Sequence, residues 1–221
     1  MSVDARTPDR HKIFFQKRRT VMKLKPILFA SIAISGILSF TAKDNIHKCF
    51  ISFQSSNGLT AQTADRLPES SEKVRLLKTD KGEITITRTD GYRVLYNNSK
   101  NAPFVNLKVE LSDNEAYPTD TVGLIENLKY LNSASQAMET KDIIELSLNG
   151  YKIYGWSRSS IEKGSTLGTF IMFPGDNITV YFYFNNMTPE FRNFESLEDY
   201  KKQRDKFMDE YTRHLKSCDK K

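Results

Sequence analysis

The sequence predicts an α+β fold: a predominantly antiparallel sheet of about seven to eight strands with two packed helices. Three observations carry this. Short β-rich runs are separated by Asp-Gly, Asn-Gly and Pro-Gly-Asp-Asn turns, two segments carry apolar residues at three- and four-residue spacing, and no βαβ alternation occurs. A doubly wound nucleotide-binding sheet is therefore not expected.

The chain opens on a basic stretch followed by an apolar run. Residues 1–42 carry eight Lys/Arg against Asp4 and Asp9, leaving 25 of the 33 bases and 25 of the 27 acids downstream. From Pro26 to Ala42 no residue is charged. This pattern reads as an export signal, either cleaved or retained as a membrane anchor, with its basic side in the cytoplasm. The whole-chain pI of about 9.1 suggests a nucleic-acid partner, but the bases that produce it belong to this segment. The rest is neutral, so no nucleic acid is expected. The chain is expected in the periplasm, outside the cell, or held at a membrane by residues 1–42 with its domain outside the cytoplasm.

Residues 43–71 are rich in Ser, Gln, Asn, Thr and Ala with no hydrophobic period, and are expected to be a flexible linker. A single globular domain is then expected over residues 72–221. Cys49 and Cys218 are the only cysteines. An export context favours a disulfide between them, which would tie the mature termini together. His11, His47 and His214 are the only histidines and no pair of them has ligand spacing, so no metal and no cofactor are expected.

Within the domain, Asp80-Lys81-Gly82 separates VRLLK from EITITR, and Asp90-Gly91 separates EITITR from YRVLY. FVNLKVEL (104–111) follows as a strand. The first helix is expected from Thr119 or Asp120, with Val122, Ile125, Leu128, Leu131, Ala134 and Met138 as its apolar stripe. Asn149-Gly150 then divides IIELSL from YKIYGWSR, and Pro174-Gly175-Asp176-Asn177 divides LGTFIMF from ITVYFYF. Ser196-Leu197-Glu198-Asp199 is an Asp version of the capping box and opens a second helix, whose stripe is Leu197, Tyr200, Phe207, Tyr211 and Leu215.

The order of these elements resembles the PsbP family, extrinsic proteins of photosystem II, and its Ran-binding nuclear-transport relatives. The resemblance spans about Glu83 to Cys218. It rests on GYRVLY followed by FVNLKVEL, the helix from Asp120, the IIELSLNGYKIYGWSR hairpin, and ITVYFYFN leading through MTPEFRNFESLEDYKKQRDKF into the last helix. It implies an α/β/α sandwich that binds or stabilises partners without catalysis, and it transfers no binding residue.

No catalytic constellation stands out. In Gly164-Ser165-Thr166-Leu167-Gly168 the serine adjoins the first glycine, so the segment is neither a nucleophile elbow nor a phosphate loop. Glu110, Asp113 and Glu115 lack EF-hand spacing and read as a solvated loop end. The candidate binding residues are aromatic and basic: Tyr154, Trp156 and Arg158 alternate along one strand, Tyr181 and Tyr183 along another, with Arg192 nearby. Their shared face is either an open groove or the surface on which the C-terminal helix packs, and the second is favoured because that helix needs an apolar partner. The expected function is that of an exported, non-catalytic binding or accessory domain for an unknown protein or small ligand. The alternative is a small secreted hydrolase with an unrecognised site.

Overall fold

The computed structural model describes residues 48–56, 58–68, 74–99, 103–136, 141–161, 166–186 and 193–218. The expected export segment, Met138 and Arg192 lie outside them. After a helical turn at 48–51, the elements run β1 (Thr60–Ala61), β2 (Asp65–Arg66), β3 (Val74–Thr79), β4 (Gly82–Thr87), β5 (Asp90–Asn97), β6 (Pro103–Leu111), α1 (Ala116–Gln136), β7 (Lys141–Leu148), β8 (Tyr151–Arg158), β9 (Thr166–Gly175), β10 (Ile178–Asn185) and α2 (Leu197–Cys218). The fold is α+β, as the sequence predicts. The main sheet is antiparallel with strand order β1-β5-β6-β10-β9-β8-β7, β2 pairing beside β1 on β5, while β3 and β4 form a separate hairpin. Among the described residues, no helix is long and apolar enough to cross a membrane.

Period-two alternation gives the sheet two different faces. On the first, Val94, Tyr96, Leu107, Val109, Ile153, Phe170, Val180, Phe182 and Phe184 meet Tyr200, Phe207, Met208, Tyr211 and Leu215 of α2 in one core. On the second, Ile171 and Tyr181 pack with Leu124 and Leu128 of α1 and with Leu77, Ile84 and Ile86 of the β3–β4 hairpin. The result is three layers, with α2 below the sheet and α1 beside the hairpin above it. The second helix opens as its capping box predicts, the Asp199 amide donating to Ser196 Oγ at 3.0 Å.

This arrangement corrects the favoured reading of the aromatic face. Tyr154, Trp156, Tyr181 and Tyr183 lie on the α1 side, and α2 covers the opposite face. The stripe of α2 finds its partners in Ile153, Phe182 and Phe184, which strand alternation already placed opposite the tyrosines. The stripe of α1 matches the expected one in part. Leu128 is buried and Ile125 half-buried as expected, and Leu124 is buried beside them, whereas Val122 and Leu131 are exposed. The helix begins at Ala116, so Pro118 sits in its first turn, where an amide has no helical partner to lose. Asp120 is buried and accepts hydrogen bonds from Ser112 Oγ (2.8 Å) and the Thr87 amide (3.5 Å), which joins α1 to β4 and β6.

Residues 48–56 and 58–68 of the expected linker pack with the domain. Phe53 is 3% exposed, with its ring edge-on to Phe207 and Tyr211 at centroid distances of 5.4 and 5.3 Å. Tyr96 Oη donates to the Phe53 carbonyl at 3.1 Å, and Tyr211 Oη to the Phe50 carbonyl at 2.9 Å. The Ser56 amide donates to the Glu210 carboxylate at 3.1 Å. Burial disfavours the charged form of Glu210, but the hydrogen bonds from Ser56 and Ser55 and the charge of Lys206 outweigh it and hold the carboxyl below its ordinary range. A few anchors and edge-strand hydrogen bonds order this segment, and neither leaves a periodic signal. Cys49 and Cys218 form a disulfide, with Cα atoms 6.3 Å apart, that fastens the segment to the end of α2.

Three of the four turns are hairpins. Asn149 (φ 52°) and Gly150 (φ 92°) take the two left-handed positions between β7 and β8, as do Asp176 (φ 51°) and Asn177 (φ 62°) between β9 and β10. Asp90-Gly91 is the exception. Both residues lie inside β5, which pairs with β6 and not with β4. Gly91 serves close approach instead, because a Cβ there would sit 2.8 Å from Leu67 Cδ1 and 2.9 Å from the Val109 carbonyl.

Several tyrosines are locked in their neutral form. Burial raises the hydroxyls of Tyr96 and Tyr200 and pushes those of Tyr181 and Tyr211 well above the ordinary tyrosine range. A raised folded-state value means that this contribution to stability is complete below the unfolded value, about pH 10, and is lost as pH rises beyond it. Spectrophotometric titration should therefore show part of the phenolate absorbance appearing late, together with loss of circular dichroism. Titration of all ten tyrosines near pH 10 with the fold intact would contradict the packing.

Candidate functional site

Among the described residues, helix α1 and the β3–β4 hairpin cover only part of the second face. The remainder, over β5, β6, β10 and the start of β9, is an open cleft of about 400 Å³. Arg93 of β5, Asn106 and Lys108 of β6, Tyr183 and Asn185 of β10, and Thr166 of β9 form its floor, with Asp65, Arg66, Leu67 and Pro68 as a rim. Register explains the grouping. Arg93 pairs with Lys108, Lys108 with Tyr181, and Asn106 with Tyr183, so polar residues and tyrosines that alternate with apolar residues along three strands fall side by side.

The cleft lining carries three bases, Arg66, Arg93 and Lys108, against one acid, Asp65. Arg93 is exposed, and the Arg66 guanidinium, 60% exposed, contacts Asp90 at 3.0 Å. Behind them, Glu110 is only 3% exposed and faces three cations: Arg75, Lys108 Nζ at 2.8 Å, and Arg88 Nε at 3.9 Å. The expectation that Glu110 marks a solvated loop end is therefore corrected. Its carboxylate is the buried counter-ion that holds Lys108 and Arg75 in place, one negative charge against three positive. Arg75 also donates to Tyr181 Oη at 2.9 Å and lies 5.3 Å from the centre of that ring. Burial works against the Arg75 charge, but Tyr181 and Glu110 outweigh it, so the guanidinium stays protonated. Asn106 Oδ1 is buried without a hydrogen-bond partner, an acceptor that a donor group entering the cleft would satisfy.

The five described candidate residues share this face but divide among environments. Tyr181 is sealed at 2% exposure, stacked on Tyr183 with ring centroids 6.1 Å apart. Tyr183 lines the cleft. Arg158 donates Nε to the carbonyl of the cleft residue Thr166 at 2.8 Å, which places it at the margin. Trp156 is half-buried at the edge of the α1 layer. Tyr154 lines a separate, mainly apolar hollow of about 270 Å³ with Ile125, Leu128, Lys129 and Glu145.

No protein-family model, no curated protein and no solved structure matches this chain. The site is therefore read from its own chemistry. Among the described residues its lining contains no histidine or cysteine. What it offers is charge-assisted hydrogen bonding from Arg93, Arg66 and Lys108, beside an aromatic wall.

Sequence reasoning missed Arg93, Asn106 and Lys108. Each occupies a polar position on the period-two face that pairs with the tyrosine strand, and a strand-pairing argument run from β10 to β6 and β5 finds them. Asn97-Asn98-Ser99 and Asn186-Met187-Thr188 have the spacing of N-glycosylation sequons, but Asn97 and Asn186 are both buried. Asn186 Oδ1 accepts from the amides of Asn193 and Phe194, a structural task that leaves the side chain inaccessible to glycosylation once folded.

Proposed function

We propose that the chain is an exported, non-catalytic binding domain that holds an acidic segment of a protein partner in the cleft between β5, β6 and β10. The observation that carries this reading is the convergence of Arg66, Arg93 and Lys108 beside Tyr183 and the unsatisfied Asn106, against one lining carboxylate, Asp65, with Glu110 buried behind Lys108. Arginine beside an aromatic surface is the composition of an interface hot spot. Export is supported by the basic-then-apolar start of the sequence and by the Cys49–Cys218 disulfide, a bond that persists in oxidising compartments. If residues 1–42 are retained, they tether the domain to the membrane. The PsbP-like order of elements agrees with an accessory role. No observation favours the hydrolase alternative.

Two results test this. N-terminal sequencing of the protein from its native host is expected to start between about Lys43 and Lys48, or the intact chain is expected to sediment with membranes. A soluble, uncleaved cytoplasmic protein would contradict export. In pull-downs from the native envelope fraction, the partner captured by the wild type should be lost with Arg93→Glu, and capture should weaken as salt is raised through the range that screens surface charge. Equal capture by the wild type and by a folded Arg93→Glu variant would remove the cleft from the account.

A further inference from the structure

The disulfide has a third neighbour. His214 precedes Cys218 by one turn of α2, and its Nε2 lies 3.9 Å from Cys49 Sγ and 3.9 Å from Cys218 Sγ. The three candidate ligand atoms all lie within 4.8 Å of one another, and the residues are half-buried, sheltered but reachable by an ion. We infer that Cys49, His214 and Cys218 form a redox-gated zinc site, closed as a disulfide when oxidised and able to coordinate one Zn²⁺ when reduced.

The geometry needs little change. Tetrahedral zinc with Zn–S near 2.3 Å and Zn–N near 2.0–2.1 Å has ligand-to-ligand edges of roughly 3.5–3.8 Å. Both sulfur-to-nitrogen edges are already close to this. Only the sulfur-to-sulfur edge must open, and a Cα separation of 6.3 Å lets side-chain rotation supply it. The imidazole is held in position by the Phe53 ring, with centroids 5.5 Å apart. With its proton on Nε2, the ring donates to the Cys49 carbonyl at 3.0 Å. With the proton on Nδ1, the Nε2 lone pair faces the two sulfurs. Two thiolates and an imidazole select a soft or borderline ion over magnesium or calcium, and three protein ligands leave a fourth position for water or an incoming group.

The redox step balances through a dithiol reductant. The dithiol delivers two electrons and two protons to the Cys49–Cys218 bond, giving two thiols, and leaves as its own cyclic disulfide. Zn²⁺ then displaces the two thiol protons. The covalent clasp between residues 48–56 and α2 is thereby replaced by a coordinate one.

Cobalt titration of the purified chain, reduced anaerobically with a phosphine, tests the proposal. One equivalent of Co²⁺ should bring a thiolate-to-cobalt charge-transfer band and tetrahedral visible bands, both bleached by Zn²⁺ and both absent from the oxidised chain. His214→Ala should weaken cobalt binding by more than about tenfold, since loss of a ligand costs no less than loss of a ligand's supporting contact. If reduction unfolds the chain, equimolar Zn²⁺ should restore its circular dichroism. Should His214→Ala fail to fold when oxidised, Cys218→Ser serves the same comparison against the reduced wild type. The site is refuted by absence of a charge-transfer band in the reduced chain, by an unaltered band in either variant, or by reduced chain that zinc does not refold.

Discussion

Phe207→Ala is expected to lower stability by about 3–5 kcal/mol, which for a domain of this size shifts the melting temperature by on the order of 10 °C or more. Phe207 is fully buried, and four of its ring neighbours come from three parts of the chain. Its ring meets Phe53 at 5.4 Å, Tyr96 at 5.0 Å, Phe182 at 6.4 Å and Phe184 at 6.1 Å between centroids. Because strands β5 and β10, helix α2 and the 48–56 segment all border the same ring, no single element can move to fill the cavity. The cost should fall near the upper part of the range for that reason. Val122→Ala provides the control. Val122 is 57% exposed on α1 and its truncation should change stability by no more than about 0.5 kcal/mol. Thermal melts followed by circular dichroism check both. Equal melting temperatures for Phe207→Ala and wild type would contradict the packing of α2 on the sheet.

Loss of the disulfide is the second large effect. Cys49 and Cys218 are 169 residues apart, and the chain-entropy relation gives about 5 kcal/mol for a closed loop of that length. The bond ties a segment that is anchored in the native state by Phe53 and by the Ser56–Glu210 contacts. Little of the unfolded-state constraint is therefore offset by freedom in the folded state, as it would be had residues 43–71 formed a mobile tether. The paired variant Cys49→Ser/Cys218→Ser is expected to lose several kcal/mol in metal-free buffer, read as a lower denaturant midpoint. A loss well below about 1 kcal/mol would mean that residues 48–56 are free in solution.

The strands were legible because their signals are local. Turn residues that require left-handed backbone, such as Asn149-Gly150, and alternation such as that of Ile178 to Phe184 depend on a few neighbours in sequence. Asp90-Gly91 carries the same letters for a different reason, crowding by Leu67 and Val109, and the sequence does not distinguish the two. Phe53 was hidden because one aromatic residue in a polar stretch has no period. The α1 stripe was read correctly at Leu128 but not at Val122 or Leu131, since the helix is polar enough that several spacings fit its apolar residues equally. The candidate face was partly legible. Alternation placed Tyr154, Trp156, Arg158, Tyr181 and Tyr183 on one side, but which layer covers that side depends on strand order, a long-range property. Strand order also brings Arg93 and Lys108 beside Tyr181, and that is why the basic half of the cleft escaped notice.

The central claim is that partners meet the cleft side of the sheet and not α2. Site-specific photo-crosslinking in the native host tests this most directly, with a benzophenone side chain placed at position 65, on the exposed rim of the cleft, or at position 213, exposed on α2. The account predicts a partner adduct from position 65 that disappears when Arg93→Glu is added, and none from position 213. An adduct from position 213 with none from position 65 would contradict it.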